Sequence, residues 1–241
     1  FLKRMTKLVR ETLPNCTIII GGIIPTVDIE NAIKDKNADY WVIGEGELRF
    51  PKLLKELEKK NPDLSSMDGI AYYDKDDKPI IKQPTSFITD LDSLPFQDYG
   101  NLDFMGYANE KMKYAYGLTP RHHPFAFAMT SRGCPFKCVF CSAWKVSGRV
   151  PRIRSAENVL EEIDILYKKG IREIIFLDDH FFINRQRAID IMNGLIKRNY
   201  DLLWKCCNLT IWLLDDELLD LMKQSGCYQI IISVESGNQD V

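Results

Sequence analysis

Residues 125–141 read FAFAMTSRGCPFKCVFC, an apolar run that passes through Met129 and Thr130 into a loop carrying three cysteines. The run predicts a strand over 125–130, and Gly133 and Pro135 bend the chain beyond it. Downstream, Ser155 stands where a helix cap belongs, before Val159, Leu160, Ile163, Leu166 and Tyr167 at helical spacing. Lys168 and Lys169 close that helix and Gly170 stops it. The pattern then repeats: strand 174–177, a helix with Ile189, Met192, Leu195 and Ile196, strand 202–204, a helix with Leu218, Leu219, Leu221 and Met222, and strand 228–234. Four strands alternating with three helices predict a parallel sheet and part of an α/β barrel, whose complete eight-unit form takes roughly 250 residues. Functional residues of such barrels sit at the carboxyl ends of the strands. The cysteine loop, Asp178-Asp179 and Glu235-Ser236-Gly237 all fall there.

Upstream, Leu2, Met5, Leu8 and Val9 predict a helix, and residues 17–20 a short buried strand ending at Gly21-Gly22. A helix fits 28–36 and a strand 40–43. The turn Gly44-Glu45-Gly46-Glu47 follows, then a helix with Phe50, Leu53, Leu54 and Leu57 on one face. Ile70–Tyr73 and Pro79–Lys82 flank an acidic turn as an antiparallel hairpin. Between Gln83 and Pro124 periodicity fades, and four prolines mark a connection laid over a surface rather than an element. The expected fold is therefore α/β: a partial doubly wound, Rossmann-like domain over 1–85, a linker over 86–124, and a partial barrel over 125–241 that stops after its fourth strand.

With 241 residues, 45% hydrophobic and 27% charged, the composition excludes disordered and collagen-like classes. The net charge of −2 and the balance of basic and acidic residues in both halves give no sign of a nucleic-acid arm. The longest apolar stretches, 17–24 and 230–234, fall far short of the ~20 residues of a membrane helix, so no membrane partner is expected. The opening Phe-Leu-Lys-Arg reads as amphipathic helix rather than signal peptide, and as an internal start within a longer protein. Seven cysteines, with Cys134, Cys138 and Cys141 in one loop, point to metal ligation in a reducing, cytoplasmic compartment rather than to a disulfide framework.

Iron–sulfur clusters are commonly held by four Cys thiolates, so three at C-x3-C-x2-C leave one iron of a 4Fe-4S cube without a protein ligand. Two other occupants fit the residues. Zinc would take the three cysteines, with Cys138 and Cys141 as a C-x2-C pair and His122 or His123 completing a Cys3His site, and a fully ligated electron-transfer cluster would recruit Cys16, Cys206, Cys207 or Cys227. Residues 111–156 carry nine Lys or Arg and no Asp or Glu. That stretch is either an exposed basic loop or a setting in which Arg149, Arg152 and Arg154 hold a carboxylate or phosphate.

The cysteine loop resembles that of the radical S-adenosylmethionine (radical SAM) enzymes, whose signature is this spacing with an aromatic residue before the last cysteine, here Phe140. The resemblance implies that Cys134, Cys138 and Cys141 hold a 4Fe-4S cluster whose open iron chelates the amino and carboxylate groups of S-adenosylmethionine, with Phe140 near the adenine. One low-potential electron, from a donor such as flavodoxin or ferredoxin, then cleaves the sulfonium to a 5′-deoxyadenosyl radical. Asp178 and Asp179 occupy the place of the family's Gly-Gly-Glu segment at the methionine amino group; a helix cap is the plain alternative. Glu235 and Ser236 resemble the segment near the ribose hydroxyls, and His180 is either a proton donor or an ordinary loop histidine.

Ile18-Ile19-Ile20-Gly21-Gly22, then Pro25-Thr26 and Gly44-Glu45-Gly46-Glu47, resemble the second half of the cobalamin-binding domain of a large radical SAM subgroup. This implies that Gly21, Gly22, Gly44, Glu45 and Gly46 line a cobalamin. The subgroup's Asp-x-His-x-x-Gly motif is not found in this chain. The expected function is reductive S-adenosylmethionine cleavage with cobalamin-linked methyl transfer to carbon on a small-molecule or metabolite substrate. Ring formation or oxidation is the alternative outcome, and a zinc-stabilised binding module is the rival of another class.

Overall fold

In the computed structural model, residues 1–100, 103–109, 119–232 and 236–238 are described. The chain divides into two units, Phe1–Thr89 with Lys137–Gly148, and Asp90–Phe136 with Arg149–Val241.

The first unit runs α1 (Leu2–Thr12), β1 (Ile19–Ile20), α2 (Ile23–Val27), α3 (Ile29–Ala32), β2 (Tyr40–Val42), α4 (Gly46–Leu57), β3 (Ile70–Tyr73) and β4 (Pro79–Lys82). Its sheet order is β1-β2-β3-β4. β1 and β2 are parallel, while the expected hairpin β3–β4 adds an antiparallel edge. Trp41, Ile43, Ile20 and Ile33 are buried on one face, and Leu53, Ile70 and Met67 on the other. The helix expected over 28–36 is shortened to α3, and a separate short helix, α2, precedes it. Pro25-Thr26 lie inside α2, and Asp28 caps α3 by accepting from the Asn31 N–H. The apolar face expected on α4 is buried mainly at Leu53, because Phe50 and Leu54 are 41% and 40% exposed.

The second unit begins with α5 (Phe104–Asn109), β5 (Phe125–Ala128) and β6 (Ser131–Arg132). After α6 (Ala143–Ser147), which groups with the first unit, come β7 (Arg152–Ile153), α7 (Ala156–Lys168), β8 (Glu173–Phe176), α8 (Arg185–Arg198), β9 (Leu203–Leu209), α9 (Asp216–Gln224) and β10 (Cys227–Ile232). β5, β8, β9 and β10 form one four-stranded sheet in the order β10-β9-β8-β5, parallel throughout. Ser155 caps α7 through the Asn158 N–H, and Val159, Leu160, Ile163 and Leu166 are buried beneath it as their spacing requires.

Two expectations need correction. β9 continues five residues past Trp204, because Lys205 is fully buried rather than solvated. Its Nζ donates to the Thr119 carbonyl at 2.7 Å and lies 3.7 Å from the equally buried Glu173, so a charge that reads as a strand end meets its counter-charge inside. The stretch expected to be bare connection also carries α5. It is pinned to its own unit: the Asp92 carboxylate accepts from the Ser155 N–H, and the Tyr99 hydroxyl donates to Glu162 at 2.9 Å.

Candidate active site

The cysteine loop leaves the sheet at the carboxyl end of β5, and its base is closed by the two-residue antiparallel ladder of β6 and β7. Directly beneath lies a buried polar network. The Asp178 carboxylate, just after β8, accepts through Oδ1 from the Thr130 N–H at 3.0 Å, the Thr130 hydroxyl at 2.8 Å and the Ser131 hydroxyl. Arg187 of α8 donates to the Thr130 carbonyl at 2.7 Å, to the Thr130 hydroxyl at 2.9 Å and to the Phe181 carbonyl at 2.8 Å. Asp178 and Thr130 are fully buried, and Asp178 Oδ2 has no hydrogen-bond partner among the described residues. Burial pushes the Asp178 carboxyl above its ordinary range, against the opposing effect of its hydroxyl donors and Arg187.

Asp179 faces the loop itself, its Oδ2 accepting from the Gly133 N–H at 3.0 Å. Three residues on, the Phe136 carbonyl accepts from Arg149 Nη1 at 3.0 Å. His180 is buried, with Nε2 against the Thr210 hydroxyl and its ring 5.6 Å from Phe136. Burial lowers its pKa and favours the neutral imidazole. Neither Asp178 nor Asp179 caps a helix; Asn184 caps α8. Arg154, expected to be available to an anion, is engaged by Glu162, Asn158 and the Met129 carbonyl. Thr130 and Arg187 escaped the sequence reading. Arg187 precedes Ile191 and Leu195 at four-residue spacing, and that periodicity marks it as inward-facing.

Among the described residues no group of three or more His, Cys, Asp or Glu side chains is close enough to hold a metal ion. The donor set nevertheless suits an iron–sulfur cluster. Cys138 and Cys141 are exposed, Cys134 is half-buried, none is in a disulfide, and no carboxylate lies within the loop's own sequence. Three of the other thiols, Cys206, Cys207 and Cys227, are poorly suited to be a fourth ligand. Cys206 and Cys207 are buried in the sheet, and burial pushes the Cys227 thiol up to about 12. Of the zinc candidates, His122 gives its backbone N–H to Glu173, while His123 stacks edge-on against Phe125. Phe140 is 71% exposed. Ser236 is exposed, its hydroxyl accepting from the Asn238 N–H, and Glu235 lies outside the described residues.

In the first unit, Gly21-Gly22 and Gly44-Glu45-Gly46 both stand at the carboxyl ends of parallel strands. The Thr26 hydroxyl joins them, donating to the Gly22 carbonyl at 2.7 Å and accepting from the Gly44 N–H at 2.9 Å. Gly22 has φ +85°, a conformation that suits glycine, and nothing lies within 4 Å of where its Cβ would stand, which leaves room for a ligand. Glu45 is turned inward, its Oε2 accepting from the Ile88 N–H at 2.6 Å.

Residues 129–241 match the model of the Radical SAM superfamily. The matched residues, 129–241, form a Radical SAM superfamily domain. Over 97% of its length it is 32% identical to an uncharacterized methyltransferase of Pyrococcus horikoshii, covering 48% of that protein. Over 98% it is 31% identical to the anaerobic magnesium-protoporphyrin IX monomethyl ester cyclase of Rubrivivax gelatinosus, covering 42% of it. The chain thus spans less than half the length of these relatives. Among solved structures it is similar to the cobalamin-dependent S-adenosylmethionine radical enzyme OxsB, with TM-score 0.69, 21% identity, and coverage of 98% of this chain and 34% of that one. It is also similar to the radical S-adenosylmethionine methyltransferase TsrM of Kitasatospora setae, with TM-score 0.71, 16% identity, and coverage of 99% and 45%. These likenesses establish the radical SAM fold for a chain in which, among the described residues, no helix is long and apolar enough to cross a membrane.

Proposed function

We propose that the chain carries the S-adenosylmethionine-cleaving part of a cobalamin-linked radical SAM methyltransferase that acts on carbon of a small molecule. One observation carries the reading: C-x3-C-x2-C opens at the carboxyl end of the first strand of a parallel sheet, inside the stretch that matches the superfamily. Cys134, Cys138 and Cys141 would hold a 4Fe-4S cluster, which supplies one low-potential electron to the sulfonium of S-adenosylmethionine. The donor of that electron would be a small redox protein of the flavodoxin or ferredoxin type.

The chain's own residues bind and orient. Asp179 stands beside the first turn of the loop, where a carboxylate suits the methionine ammonium. Exposed Phe140 offers its ring to the adenine, and Glu235 and Ser236 serve the ribose hydroxyls. Asp178 holds the end of the strand from below, and Arg187 fixes the other side of Thr130. In the first unit, Gly21, Gly22, Gly44 and Gly46 form the open edge for cobalamin, with Glu45 bracing the edge from inside through Ile88. Methyl transfer is preferred to ring closure because several relatives, in Pyrococcus horikoshii, Streptomyces wedmorensis and Methylococcus capsulatus, are named as methyltransferases or a methylase.

The test is metal and sulfide analysis after oxygen-free purification of the full-length protein, followed by assay of 5′-deoxyadenosine. Iron and sulfide together with reductive cleavage support the reading. Zinc without sulfide overturns it.

A further inference from the structure

The carboxyl end of β9 departs from regular pairing. Its register against β10 shifts between Ile230 and Ile232, opposite Cys206 and Leu209, and within that irregularity Asn208 takes φ +59°, a left-handed conformation uncommon outside glycine. The Asn208 amide donates to the Asp178 carbonyl at 3.3 Å, which joins the ends of β9 and β8. Two residues on, the half-buried Thr210 sets its hydroxyl against Nε2 of His180, which is 2% exposed. The His180 ring in turn lies 5.6 Å from the ring of Phe136, and Trp212 meets that same ring edge-on at 6.2 Å. Both separations fall in the range of favourable ring pairs. Phe136 is the middle residue of the three between Cys134 and Cys138, and its carbonyl accepts from Arg149 at 3.0 Å. Two strand ends thus grip the one side chain that stands midway between the first two cysteines.

We propose that His180 is a positioning residue for the cysteine loop: it props the Phe136 ring and so fixes the chain between Cys134 and Cys138. This rests on the reading of the loop as a cluster cradle and adds a residue which that reading leaves without a task. A free segment between two ligands has to be ordered when the thiolates close on a cluster, whereas a segment already held loses less conformational freedom. What His180 supplies is a flat ring of the right size in the right plane, and its proton plays no part. The Thr210 hydroxyl gives the buried nitrogen the partner it needs and sets the plane of the ring. A phenyl ring therefore replaces the imidazole, while an amide of matching polarity does not.

His180→Ala, His180→Gln and His180→Phe separate the ring from its polarity, and Phe136→Ala removes the group through which they act. The first readout is hydrogen exchange of residues 133–138 in the metal-free full-length protein, which reports local opening. Exchange speeds up about three- to tenfold in His180→Ala, His180→Gln and Phe136→Ala, as loss of one ring pair requires, and stays within about twofold of wild type in His180→Phe. Adding His180→Ala to Phe136→Ala changes the rate by no more than about twofold, because the two share one contact. Peptides from β5 and α7 keep wild-type exchange in His180→Phe and in Phe136→Ala, whose half-buried ring supports no core, so the effect is confined to the turn. In the oxygen-free, reconstituted protein, the rate at which a chelator strips iron follows the same order. If His180→Phe exchanges as fast as His180→Ala, or His180→Gln as slowly as wild type, the ring's role is overturned; if the two losses add, the route through Phe136 is overturned. A wild-type protein that assembles no iron–sulfur cluster overturns the reading of the loop instead, while exchange, measured without metal, still decides the prop.

Discussion

Replacing Asp178 by Ala leaves the Thr130 N–H and two hydroxyls without an acceptor in a site closed to water, and removes the negative charge that faces Arg187. The expected loss is about 3 kcal/mol, read by urea denaturation. A second expectation concerns Asp68 in the first unit. Its hydrogen bond from the Arg49 guanidinium and those from Thr85 hold the carboxyl well below the usual carboxylate range. A depressed folded-state pKa contributes stability that is complete above roughly pH 4 and is lost as pH falls. Asp68→Asn is therefore less stable than wild type at neutral pH, and the gap narrows in denaturation series taken below pH 4. At this scale the sequence showed which residues are chemically able and not how they are aimed. Cys134, Cys138 and Cys141 announce themselves by spacing. The inward turn of Asp178 depends on Thr130, a partner 48 residues away in sequence.

Elements were legible wherever hydrophobic period and caps agreed, as in α7 with Ser155 and Gly170, and illegible where a buried charge interrupts the pattern. β9 is the clear case, for Lys205 reads as solvent-facing until Glu173 and the Thr119 carbonyl are seen against it. Lys205→Met should cost about 3 kcal/mol in chemical denaturation because it leaves Glu173 buried without its counter-charge. Adding Glu173→Gln should recover most of that loss, and a double-mutant cycle measures the coupling. α5 was missed for another reason. At six residues it is too short for a helical period to emerge from its aromatics, and tertiary packing holds it, with Phe104 against Tyr99 at 4.7 Å between ring centroids and Ala108 buried in the core.

For the whole chain, the parallel α/β architecture followed from strand–helix alternation, which local pattern carries well. The grouping of Lys137–Gly148 with the first unit did not, since contact between distant segments leaves no periodic trace. Cys138→Ala in the full-length protein should abolish both cluster assembly and 5′-deoxyadenosine formation. Its far-UV circular dichroism should stay that of wild type, because Cys138 is exposed and supports no core.

The oxygen of Thr26 gives its proton to one glycine loop and takes one from another. A rim wired through a single atom responds as one piece, so substitutions scattered across residues 21–46 should return correlated rather than independent losses of ligand affinity. Evolution or engineering that seeks to reshape that rim would then have to change both loops together.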